Sequence, residues 1–300
     1  MSTHLHTFHD GEQQFDTTLP FTPENEAEVA RQLLLHQQLS KLLGSVIPSS
    51  LDLSQVQRVL DVGCRVGGWV QEMAGRYPDM EVIGVDRSAY FVEQGQALVR
   101  DMRNATLLVK DMFALQDTFA DGSFDLLHLR FLGGEVTFQR FPALMQSLVV
   151  LCRVGGWLVW TEAELPRTNS DACSCLESFL LSGLSKAGRA FAPGYSLQLG
   201  IFNWMEHWLR EIGCTIVQDS EYAIDVSART KMHEIFACQM WVFGHQIRRL
   251  LLETEVVSVA VFEEMLSQMQ REVQAETFRG ICPLRMLAAV RNEEQVRLLL

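Results

Sequence analysis

The stretch Arg58-Val59-Leu60-Asp61-Val62-Gly63-Cys64-Arg65-Val66-Gly67-Gly68-Trp69 constrains this chain more than any other. A short apolar run breaks into glycines and resumes as a helical pattern carrying Trp69, Val70 and Met73, which reads as strand, tight turn and helix start. Such a turn offers free backbone N–H groups and the positive end of the helix dipole. Glycine there lets a ligand lie close to the main chain.

Downstream, short apolar strands alternate with helical stretches. Val82-Ile83-Gly84-Val85-Asp86 precedes a helix from Ser88 to about Met102, and Thr106 to Val109 leads to Asp111. Phe124 to Leu129 follows the turn Asp121-Gly122-Ser123. A helix from about Phe141 to Cys152 then ends at Gly155-Gly156, ahead of the strand Trp157 to Thr161. Uniformly apolar strands separated by helices predict an α/β fold with a doubly wound, mostly parallel sheet covered on both faces. Ahead of it, Thr22-Pro23-Glu24 predicts a helix start, with a hydroxyl cap and proline at the first position. After Glu162 a helix capped by Thr168 to Ser170 runs to about Gly188, another spans Phe202 to Ile212, and Cys214 to Ile224 reads as a strand. Residues 230–276 are nearly all helical, and Leu284 to Val290 reads as a last strand. The expected organisation is a flexible tail at 1–21, a cap helix at 22–50, a core at 51–229, a helical insertion at 230–276, and a final strand with its tail at 277–300.

In open parallel sheets, ligands sit at the carboxyl ends of the strands. Asp86 ends the second strand, where a carboxylate can accept both hydroxyls of a ribose. Asp111 ends the third, where it can accept from an adenine amino group, with Met112 against the ring. A nicotinamide cofactor would also use Asp86. Asp61 before the turn and Asp111 after the third strand are, however, no part of the dinucleotide fingerprint.

These segments, with Val85-Asp86-Arg87-Ser88, Lys110-Asp111-Met112, Ser123-Phe124-Asp125-Leu126 and Val154-Gly155-Gly156-Trp157-Leu158, resemble the successive motifs of class I S-adenosylmethionine-dependent methyltransferases. Later segments, Thr168-Asn169-Ser170 and Ile224 to Ala228, are similar to bacterial small-molecule methyltransferases. The resemblance implies a Rossmann-like, seven-stranded sheet whose last strand is antiparallel, with residues 230–276 inserted over the substrate side. It implies S-adenosylmethionine as cofactor and S-adenosylhomocysteine as product. Asp61, Gly63, Arg65, Gly67, Asp86, Arg87, Asp111, Met112 and Arg130 are the cofactor-binding residues it suggests. Arg65 departs from the pattern, which has glycine at the turn's centre. An arginine there costs about 1 kcal/mol or more if the position needs a positive φ. Its side chain either pairs with the cofactor's carboxylate or fills the cofactor's space. In the second case the fold would serve a cyclase, an isomerase or a ligand-binding protein.

Methyl transfer requires alignment and exclusion of water, plus a general base when the acceptor is a hydroxyl or an acidic carbon. The catalytic candidates are His128, Arg130, Glu162 and His207, with Glu135, Glu164 and His233 behind them. Trp204, Trp208, Trp241, Phe236, Phe243, Met240 and Met232 are candidates for an apolar substrate wall, though such helical spacing also marks core residues. A formal charge of -12 with no basic track argues against nucleic acid. The apolar runs are too short to span a membrane, and the polar N-terminus has no secretory h-region. His4, His6 and His9 lack the frame of a metal site, and the seven scattered cysteines form no zinc pattern. A cytoplasmic enzyme with a small-molecule partner is expected, and a homodimer is compatible with it.

Overall fold

The computed structural model describes residues 24–48, 50–187, 190, 191 and 198–293. Helix α1 (Glu26–Leu43) is capped by Asn25, whose side chain accepts from the Glu28 amide at 2.9 Å, and it ends at Gly44 in the left-handed region. The expected cap residue, Thr22, lies outside the described residues together with Pro23 and His4, His6 and His9. The helix thus starts later than its proline suggested, because the Asn25 side chain satisfies the first free amide.

Then come β1 (Arg58–Val62), α2 (Gly68–Arg76), β2 (Glu81–Asp86), α3 (Ala89–Val99), β3 (Ala105–Val109), β4 (Phe124–Arg130), α4 (Phe141–Val149) and β5 (Cys152–Ala163). The remainder is β6 (Arg167–Thr168), α5 (Asp171–Lys186), α6 (Phe202–Glu211), β7 (Cys214–Asp225), α7 (His233–Glu253), α8 (Val259–Val273) and β8 (Gly280–Arg291). Strands β3, β2, β1, β4 and β5 are neighbours in that order and parallel. β8 is antiparallel to β5 on one side and to β7 on the other, and the two-residue β6 extends the β5 side. The sheet therefore has the expected seven strands, with β6 as a small eighth.

Alternation along the strands sorts the core. Leu60, Val62, Leu127, Leu129 and Trp160 face α4 and α6, whereas Val59, Leu126 and Val159 face α2 and α3. Asp61 and His128, in register on β1 and β4, fall on the α2 side. A third apolar cluster joins α5, α7 and α8 to the start of β8 and to Leu39 of α1. Helices α7 and α8 stand between β7 and β8 in sequence, and α7 meets both α1 and α5. No helix among the described residues is long and apolar enough to cross a membrane.

Candidate cofactor and substrate site

The β1–α2 turn carries three left-handed residues in alternation: Gly63 (φ 72°), Arg65 (φ 51°) and Gly67 (φ 74°). Arg65 thus occupies a backbone conformation that favours glycine, at a cost of about 1 kcal/mol. Its surroundings offset that strain. The Arg65 amide donates to Asp86 Oδ2 at 2.9 Å, and its guanidinium pairs with Glu135, beyond the end of β4. Burial opposes the charge on Arg65, but Glu135, Asp86 and Glu28 raise its pKa and keep it a cation.

Asp86 is buried at the end of β2. Its Oδ1 accepts from the Ser88 amide at 2.8 Å while Oδ2 takes the Arg65 amide, so each oxygen retains a lone pair. Burial and the nearby Glu135 push its pKa up. Met112 is buried, and its Cε would stand 3.9 Å from a Cβ placed on Gly63. Asp111 is exposed and uses Oδ1 on the Phe113 amide at 3.0 Å; Arg87 is also exposed.

Asp61 has a different partner from the one its place near the turn suggested. Asp61 Oδ1 and His128 Nδ1 lie 2.7 Å apart, both buried, and the imidazole lies flat on Trp69 with ring centroids 3.9 Å apart. Burial lowers the His128 pKa and Asp61 opposes the shift. This pair locks β1, β4 and α2 together behind the site, and His128 does not reach the cavity.

The cavity, about 390 Å³, is bounded at one end by Cys64, Arg65, Val66 and Gly68. Arg31, Gln32, Leu35, His36 and Leu39 of α1 line it, with Arg130 and Glu162 at the strand ends. Its far walls are apolar: Leu180 and Leu184 of α5, and Met232, Ile235, Phe236, Met240 and Phe243 at α7. Its size and character suit a small, largely apolar molecule.

Glu162 reaches this cavity from β5. Its Oε1 accepts from the Leu132 amide (2.8 Å), Trp160 Nε1 (2.8 Å) and the Gly133 amide (3.2 Å), while Oε2 has only the Gly133 amide at 3.3 Å. Burial pushes its pKa up to about 8, although those three donors pull it down. Glu164 also touches the cavity but caps the start of α6 by accepting from the amides of Gly200 and Phe202. Two polar atoms of lining residues are buried without a partner: Gln32 Oε1 and Gln239 Nε2.

Three expectations need correction. His207 lies on the exposed side of α6, 3.6 Å from Glu211, because the apolar face of that amphipathic helix turns Trp208 and Leu209 inward instead. His233 bonds the Val226 carbonyl at 3.0 Å and packs on Phe278, outside the cavity. Of the aromatic and methionine candidates, Trp208 stacks in the core with Phe141 and Trp160, the half-buried Trp204 meets Phe138 edge-on beside it, and Trp241 is 38% exposed. Only Met232, Phe236, Met240 and Phe243 line the cavity. From the sequence, a helix ahead of the first strand could cover a cofactor pocket or equally cap the sheet; α1 lines the cavity, with polar side chains that the sequence reading did not single out. Glu28, Gln32 and His36 are spaced by four and all buried, a polar row on one helix face that was visible in the sequence. No group of three or more metal-ligating side chains occurs among the described residues.

Comparisons place this geometry among known proteins. Residues 59–156 match the methyltransferase-domain family. The chain is 27% identical over 147 residues to "Methyltransferase str2" of Strobilurus tenacellus, covering 46% of this chain and 49% of that protein. It is 31% identical over 138 residues to "Secondary metabolism regulator LAE1" of Cochliobolus heterostrophus, covering 46% and 39%. It therefore spans about half the length, or less, of these curated relatives, which are fungal and not bacterial. Among solved structures, the YcgJ protein of a Bacillus species shares the fold with a TM-score of 0.50 at 13% identity, over 86% of this chain and 99% of that one.

Proposed function

We propose that this chain, whose residues 59–156 match a methyltransferase domain, is a class I S-adenosylmethionine-dependent methyltransferase acting on a small, largely apolar metabolite held under α5 and α7. One observation carries this reading: the motif turn at Cys64 to Gly68 and the apolar side chains of α5 and α7 line the same cavity. The residues present fit the cofactor. Asp86 keeps lone pairs for ribose hydroxyls, Asp111 and Met112 follow β3 and would hold the adenine, and the orphaned Gln32 Oε1 is an acceptor suited to an ammonium. When bound, the cofactor supplies a methyl group already activated by its sulfonium.

The chain's own residues then have two tasks. The apolar walls exclude water and hold the acceptor in line. For a hydroxyl acceptor, Glu162 Oε2 takes the proton, since Oε1 is held by three donors and Oε2 by one long contact. Burial sets this carboxyl at about 8, so its basic form grows as pH rises. The pH–rate profile of methyl transfer is accordingly expected to climb through pH 8 and level above it. A profile already flat from pH 5 to 9 would remove Glu162 as the base.

Calorimetric titration with S-adenosylmethionine and S-adenosylhomocysteine tests the reading as a whole. Because Arg65 is engaged by Glu135 and Asp86, the parent and Arg65→Gly are both expected to bind in the micromolar range. Absence of binding in the parent with recovery in Arg65→Gly would support a second reading, a methyltransferase fold that no longer transfers methyl groups. The positive φ of Arg65 is the observation that favours that alternative.

A further inference from the structure

Arg130, at the end of β4, brings a guanidinium to the cavity wall and meets no carboxylate at ion-pair distance among the described residues. Its Nη1 lies 3.3 Å from His36 Nδ1. His36 Nε2 in turn lies 2.9 Å from Glu72 Oε2, and Glu72 Oε1 receives Ser40 Oγ and Arg76 Nη2, each at 2.7 Å. Burial, and then Arg130 itself, push His36 down to about 4, so the imidazole is neutral. In the neutral tautomer that fits both contacts, Nε2–H donates to Glu72 and Nδ1 accepts from Arg130. The arginine is held in place by an uncharged acceptor. Asp61 and Glu72, whose charges favour this cation, make their own close contacts with His128, His36, Ser40 and Arg76 instead.

A half-buried cation with no carboxylate in direct contact keeps donors to spare, and a ligand that supplies one completes it. Arginine has five donors in a planar fork matched to a carboxylate, and His36 takes one of them. The α2 N-terminus lies close by. A Cβ on Gly68 would stand 3.2 Å from the His36 ring, and the cap residue Gly67 supplies no side-chain acceptor.

We propose that Arg130 is the receptor for a ligand carboxylate entering this cavity, with His36 and Glu72 as positioning residues. The proposal rests on the methyltransferase reading only in naming one of two sources. The carboxylate belongs either to the amino-acid end of the cofactor or to an apolar acid bound as substrate. In both cases the charged head lies at the Arg130 end. The apolar walls of α5 and α7 receive the tail of an acid substrate.

The test is calorimetric titration of the parent, Arg130→Gln and Arg130→Lys with four probes. They are S-adenosylhomocysteine, 5′-methylthioadenosine (which lacks the amino-acid end), octanoate and octan-1-ol, the last two with and without S-adenosylhomocysteine. Arg130→Gln is expected to weaken S-adenosylhomocysteine or octanoate by about tenfold or more. The two probes without a carboxylate should stay within about twofold. Arg130→Lys, a point charge without the fork, should recover part of the loss. Loss confined to S-adenosylhomocysteine assigns the carboxylate to the cofactor; loss confined to octanoate assigns it to an acid substrate.

Unchanged binding of both acids overturns the proposal, and so does equal weakening of all four probes, which would report a collapsed cavity. His36→Leu should weaken the same ligand that Arg130→Gln does, and His36→Gln, whose amide oxygen can accept from Arg130, should restore it. Without that pattern His36 has no positioning role. If the parent binds neither nucleoside yet prefers octanoate to octan-1-ol through Arg130, the methyltransferase reading fails while this proposal stands.

Discussion

Trp208→Ala is expected to destabilise the fold by about 3–5 kcal/mol, measured by urea unfolding, while the folded fraction still binds S-adenosylhomocysteine as the parent does. The Trp208 ring is 2% exposed and lies parallel to Phe141, with centroids 4.7 Å apart and planes 2° apart. Trp204 and Trp160 flank it at 5.8 and 6.1 Å. Alanine would leave a large void in the layer between α4, α6 and the sheet, where neighbouring rings are themselves packed and cannot close it. A loss below about 1 kcal/mol would show that this stack relaxes freely, contrary to interior packing. Weakened ligand binding in the folded fraction would show that the stack shapes the cavity as well.

The second large effect is a gain. Glu177 on α5 is 9% exposed, its Oε1 is buried without a partner, and burial alone pushes its pKa up to about 8. In the unfolded chain a glutamate titrates near its ordinary value of about 4.3. Between these two values the unfolded state has released a proton that the folded state still holds. Stability therefore falls as pH rises through this window and levels off above pH 8. Glu177→Gln removes the titration, so it should raise stability by about 2–3 kcal/mol at pH 7 and by little at pH 4.5. Urea unfolding of both proteins at the two pH values measures the difference. An equal effect at both would mean that the carboxyl is solvated or paired in solution.

The burial of Glu177 has a signal in the sequence itself. The residue shares a helix face with Cys173, Leu176, Leu180 and Leu184, at the spacing that marks a buried stripe. The motif turn was legible for the same kind of local reason. Glycines, a strand-end Asp86 and the odd Arg65 lie within 24 residues of each other, and a non-glycine residue at a left-handed position is a property of the backbone there. The partners of those residues were not legible. Arg65 meets Glu135, Asp61 meets His128 and Arg130 meets His36 across long sequence separations. These meetings depend on strand register and on where α1 docks, which no local pattern encodes. Periodicity likewise announced that α6 and α7 each bury a face. It could not say that α6 packs on an aromatic core while α7 packs on a cavity.

The place of β8 has a consequence for the order in which the protein can be made. This strand, ending at Arg291, forms the seam between β5 and β7, with Leu158 against Ala289 on one side and Thr215 against Val290 on the other. A chain emerging from the ribosome can assemble β1 to β5 around the motif turn early, since those strands are joined by local crossovers. It must then wait with the free edges of β5 and β7 bare until nearly the last described residue has been synthesised. During that interval the nascent chain is open to strand pairing with other chains. Insertion of β8 is the event that joins the lone strand β7 to the edge of β5 and completes one continuous sheet.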